Sequence, residues 1–204
     1  MKKMILSAVM LVFAASGRAQ EAGAASPTEH NEWLTTFEAV AVDADLDIKF
    51  VKVPDTEAPK IVYDTKGSYT SKFRAEVKDK TLRISEKYDS RRPDRTQVTV
   101  YYNTLQSVSL SGAAAVFEGT VDAVLLDLTL GRKASLTAAF DVKDLRMELT
   151  GGSSATLTGK AGYLTLFAST GRVAASGLEV SQVIQVAAAS LFSLWAFMTQ
   201  ALEK

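Results

Sequence analysis

The chain has 204 residues with 23 basic and 23 acidic side chains, a single histidine and no cysteine. The missing cysteine excludes disulfides, thiolate chemistry and a lipoprotein attachment site. One histidine leaves almost no scope for a histidine-activated serine nucleophile, and the balanced charge argues against nucleic acid as the main partner.

Residues 1–19 begin with Lys2 and Lys3, continue through the apolar run MILSAVMLVFAA and end on Ser16, Gly17, Arg18 and Ala19. This is the pattern of a secretory signal peptide, with cleavage expected after Ala19 or Gln20. The apolar run is short for a membrane anchor. Losing Lys2, Lys3 and Arg18 with the leader makes the mature chain net acidic. Export places the protein in the periplasm, on the outer-membrane surface or outside the cell.

Residues 20–36 are small and polar, contain Pro27 and His30, and read as a flexible lead-in in which a lone imidazole has nothing to orient it. Residues 37–103 read as a strand-rich part. Val40, Val42, Ala44, Leu46, Ile48 and Phe50 face one way, and Asp43, Asp45, Asp47 and Lys49 the other, as one long strand or two joined by a bend. The three aspartates match the first ligand offsets of a calcium loop. Ile48 and Pro54, however, stand where that loop needs its glycine and its bidentate glutamate, so no metal site is expected. Further strands are predicted over residues 60–63, 72–77, 81–85 and 97–102, with Lys78, Asp79 and Lys80 turning a hairpin. The polar stretch 90–95 reads as a loop. Tyr63, Tyr69, Tyr88, Tyr101 and Tyr102 cluster in this half, and alternation puts one of Tyr101 and Tyr102 outward, where a ring can stack on a sugar.

From residue 104 to residue 204 short apolar strands recur. Units start at Leu105, Val124, Leu145, Leu164 and Val183, a period near 19 residues that predicts an all-β solenoid of stacked coils. Leu145, Met147 and Leu149 are expected inward, with Arg146, Glu148 and Thr150 outward. Turns are expected at Gly112, Gly131, Gly151 and Gly171, where glycine can take a positive φ. Residues 37–204 read as one continuous domain. Residues 183–202 carry no charge, and a final coil that could pair with another copy is favoured over a membrane span, because Gln185, Ser190, Ser193, Thr199 and Gln200 dilute the run.

Catalytic patterns are missing. The GGSSA stretch from Gly151 lacks the second glycine of a nucleophile elbow, Ser169 is followed by Arg172 rather than lysine, and Gly159-Lys160 lacks the rest of a phosphate loop. Asp127, Asp141, Asp144 and Glu148 are the carboxylates that would serve a glycoside hydrolase or lyase if they met in space, and all sit at outward or turn positions. No catalytic, cofactor or metal residues are assigned.

The segments VDADLDIKF, VKDKTLRIS, LQSVSLSGAAAV, LTGGSSATLTGKAGYLTLFASTG and VAASGLEV together resemble the auto-transporter adhesins with a head GIN domain, over about residues 37–200. The resemblance implies export and a right-handed single-stranded β-helix-like solenoid behind an N-terminal set of strands. It brings no catalytic or binding residues. The chain departs from the family where AAASLF follows Val186 in place of a glycine or serine turn. The expected function is a non-enzymatic binding module of the cell envelope for a glycan or protein partner, with a carbohydrate-active enzyme as the alternative.

Overall fold

The computed structural model describes residues 28–66, 70–87 and 94–188, and among these it is all-β with no α-helix. Twelve strands share one sheet: β1 (Glu29–Trp33), β2 (Ala39–Asp43), β3 (Leu46–Lys52), β4 (Lys60–Asp64), β5 (Phe73–Lys78), β6 (Thr81–Glu86), β7 (Thr96–Tyr102), β8 (Ser107–Ser111), β9 (Ala114–Gly131), β10 (Ser135–Leu149), β11 (Ser154–Ala168) and β12 (Arg172–Ala188). The path runs β1-β4-β7-β3-β9-β8-β2-β6-β5, and β10, β11 and β12 stack on β9 in turn. The expected signal at residues 1–19, residues 189–204 and the two stretches that hold Tyr69 and Tyr88 lie outside the described residues.

The alternating run from Val40 to Phe50 is buried at every second position, as its pattern predicts. It is two strands. A bend at Ala44 and Asp45 sends β2 to pair with β6 and β8, and β3 to pair with β7 and β9. The path curls enough that Tyr63 of β4 stacks on Phe73 of β5 at 4.3 Å. Asp79 and Lys80 both take positive φ, 51° and 57°, which is the two-residue type I′ geometry that suits the right-handed twist of a hairpin.

Residues 29–33, expected to belong to a flexible lead-in, instead form β1, antiparallel to β4 from Glu29↔Asp64 to Trp33↔Lys60. Five residues of mixed polarity carry too little alternation to announce a strand, and the pairing partner lies some thirty positions away.

From β9 to β12 neighbouring strands are parallel and offset by one 19-residue step, seen in the rung Leu126↔Leu145↔Leu164↔Val183. The unit start expected at Val124 is therefore displaced to Leu126, which is fully buried while Val124 is 70% exposed. The two additional residues that made this unit look longer sit earlier, where Thr137 pairs with Val116 but Ala139 with Thr120. Along β10 the buried positions are Leu136, Ala138, Phe140 and Val142, then Leu145, Met147 and Leu149. Lys143 is exposed and Asp144 half-buried at that change of parity, where the run of alternate burial is reset. Leu145, Met147 and Leu149 are inward as expected.

One tight turn closes each step. In residues 150–153 the left-handed positions are Gly151 and Gly152, and Ser153 donates to the Thr150 carbonyl at 3.1 Å. One step earlier, Arg132 and Lys133 hold the same conformation, with φ of 42° and 60°, and neither Gly131 nor Gly171 does. The expectation of positive φ at those two glycines is corrected: the stacked turn geometry, imposed by the ladder on both sides, overrides residue preference at Arg132 and Lys133.

Candidate functional site

Inward alternation of Ile61 and Tyr63 on β4, and of Val100 and Tyr102 on β7, leaves the residues between them on the outer face. The antiparallel register then sets Trp33, Lys60 and Tyr101 side by side on three adjacent strands. Leu34 donates its backbone N–H to the Pro59 carbonyl at 2.9 Å, which extends the β1–β4 pairing one residue past Trp33. Trp33 is 69% exposed. The Lys60 ammonium lies 5.5 Å from the Trp33 ring centroid and 4.6 Å from that of Tyr101, so each π face attracts it.

The flanking rung is Asn31, Val62, Thr99, Lys49 and Val116. Lys49 pairs with Glu118, whose hydrogen bond and negative charge raise the pKa of the lysine. Lys52 pairs with Asp122 at 2.7 Å. Lys60 has no carboxylate partner among the described residues.

Of the tyrosines expected to offer a sugar platform, Tyr101 is placed on this face, alone among the three that are described. Tyr63 and Tyr102 are core residues, and burial pushes both hydroxyls up to about 12, with a hydrogen bond to Glu32 adding to the effect at Tyr63. His30, far from being unoriented, stacks on Tyr63 with centroids 5.0 Å apart. Trp33 and Lys60 were not legible as site residues because nothing local pairs β1 with β4.

Away from this face, a concavity of about 680 Å³ is lined by Asp43, Asp45, Glu86, Arg95, Arg132 and their neighbours. Arg95 reaches Asp45 at 2.6 Å and Asp47 at 2.8 Å, and Arg132 reaches Asp43 at 3.0 Å. The aspartates that resemble calcium ligands are thus engaged by guanidinium groups, and no cluster of three metal-ligating side chains occurs among the described residues. A glycosidase acid is kept protonated in an apolar pocket. These aspartates are about half exposed or more and each faces a cation.

Asp127, Asp141, Asp144 and Glu148 occupy four different rungs, opposite Arg146, Asp122, Leu125 and Thr129 respectively. Asp144 faces Arg146 at 3.4 Å. Asp127, Asp144 and Glu148 stand around Arg146 on one outward face, and Asp141 lies beyond the change of parity in β10. No helix among the described residues is long and apolar enough to cross a membrane.

Residues 36–197 match the family described as "Putative auto-transporter adhesin, head GIN domain". No curated protein matches the chain. Among solved structures, a "putative adhesin" from Bacteroides fragilis is similar with TM-score 0.68 and 17% identity, covering 78% of this chain and 76% of that one. A "putative adhesin" from Parabacteroides distasonis has TM-score 0.57 and 20% identity, with 79% and 78% covered. A "putative lipid binding protein" from the same species has TM-score 0.56 and 10% identity, with 76% of each covered. At these identities the likeness carries the fold alone. The family match, which spans nearly all of the described sheet, is what places the protein: it belongs to the auto-transporter adhesin family with a head GIN domain.

Proposed function

We propose that this protein is an exported, non-enzymatic, adhesin-like binding module of the cell envelope or surface, and that it holds a glycan against the outer face of its sheet. The observation that carries this reading is Trp33, a large aromatic exposed at the end of the sheet with Tyr101 two strands away on the same face. Exposed aromatic rings present an apolar face on which a sugar can stack, and Trp33 at 69% is more exposed than Tyr163 or Phe167 at 46%. Membership of an adhesin family supports a surface role.

In this reading residues 1–19 are the export signal, and β9 to β12 are coils of a right-handed single-stranded β-helix, a view supported by their parallel 19-residue offset. Self-association belongs to the same proposal. Among the described residues β12 is hydrogen-bonded to β11 alone, and it has only Arg172 and Glu179 as charged side chains over its 17 residues. Long, lightly charged edges are the ones that pair with other chains.

The test is a glycan array probed with the chain from Gln20 onward. Binding that Trp33→Ala abolishes, at unchanged melting temperature, is expected. Failure to bind any glycan overturns the reading. Light scattering of the same material is expected to show more than a monomer.

A further inference from the structure

We infer that the row Trp33, Lys60 and Tyr101 binds an anionic sugar, one bearing a carboxylate or sulfate, with the rings taking the sugar face and the Lys60 ammonium taking the anion. The inference rests on the glycan reading above and names the ligand class for that site.

An ammonium has three donors and no acceptor. At Lys60 it lies between two π faces, 5.5 Å and 4.6 Å away, and these orient the charge without supplying a carboxylate. Lys49, on the next rung of the same face, is already compensated by Glu118, and Lys52 at the end of β3 by Asp122. Among the described residues Lys60 therefore stands without a carboxylate partner, at the point where both rings are also available. Trp33 and Tyr101 are separated by two strand spacings, about 10 Å, so a sugar on either ring can bring a substituent to the lysine between them. A neutral sugar would use the rings and leave the ammonium to water. Asn31 and Thr99 flank Val62 on the next rung and offer polar groups for a saccharide's hydroxyls.

The inference is tested with the mature chain by calorimetry against three probes of equal length: an oligogalacturonide, its fully methyl-esterified neutral counterpart, and a sulfated oligosaccharide. An ion pair at an exposed site corresponds to at most about fivefold in affinity. The acidic oligomer is expected to bind about fivefold more tightly than the ester at low salt, with the advantage fading at high salt. Lys60→Met, which keeps the apolar stem, is expected to remove that advantage, so that acid and ester bind alike, whereas Trp33→Ala weakens binding of both. Equal binding of the sulfated probe identifies charge, rather than carboxylate shape, as what is read. Equal affinity for acid and ester, or a Lys60→Met variant that still prefers the acid, overturns the inference while the glycan function stands. No binding of any probe, or binding only to anionic phospholipid vesicles, overturns both.

Discussion

Gly159 and Phe140 lie so close on adjacent strands that a Cβ on the glycine would stand 2.1 Å from the Phe140 carbonyl oxygen and 2.8 Å from its nitrogen. Gly159 also has φ of 97°, outside the range of side-chain-bearing residues. Neither atom can retreat, because Phe140 is itself in the ladder between Val121 and Gly159. Gly159→Ala is expected to cost about 3 kcal/mol or more. Gly119, at φ 77° with nothing within 4 Å of its would-be Cβ, shares the backbone problem without the clash. Gly119→Ala is expected to cost about 1 kcal/mol. Urea unfolding of the two variants checks this, and equal losses would show that the close approach does not matter.

Leu149 is fully buried and Thr150, next to it, is half-buried at the start of the turn. Leu149→Asp places a charge in the stack without a partner and is expected to cost about 4 kcal/mol or more. Thr150→Asp is expected to cost about 1 kcal/mol, since its side chain makes only a 3.4 Å contact to the Leu130 carbonyl. If the two melted alike, the inward assignment along β10 would be wrong.

Tyr102 and Tyr63 have hydroxyls raised to about 12 in the folded chain, against about 10 when unfolded. The folded state resists ionising them, so the associated stability is complete below pH 10 and is lost as pH rises from 10 to 12. Melting temperature is expected to drop across that window, and Tyr102→Phe to flatten the drop. A variant with the same alkaline profile as the parent would contradict the burial argument.

Arg95 holds Asp45 and Asp47 and also donates to the carbonyls of Leu46 and Gly112 at 3.2 and 3.1 Å. Arg95→Ala is expected to cost about 1–2 kcal/mol, mostly through the lost carbonyl bonds, since exposed ion pairs contribute little. Calcium is expected to leave the melting temperature where magnesium leaves it. A shift of several degrees with calcium alone would mean that the aspartates exchange their arginines for a metal.

Alternation and period are properties of neighbours along the chain, and those the sequence determined by itself. Val40 to Phe50 had to be extended with one face buried, Asp79 and Lys80 had to turn, and the recurrence from Leu145 to Val183 had to stack at 19 residues, because each depends on side chains a few positions apart. Family membership was legible for the same reason. What only the tertiary structure decided is which distant segments meet. Nothing near Trp33 says that β1 lies against β4, nothing near Arg95 says that it reaches back to Asp45, and Val124 and Leu126 are equally apolar until the ladder with Leu145 selects one of them. The candidate site belongs to this second class: its three side chains come from strands up to 68 positions apart in the register Trp33↔Lys60↔Tyr101. Such pairing is set by how the whole sheet closes over its core, where a one-residue slip would turn every inward side chain outward.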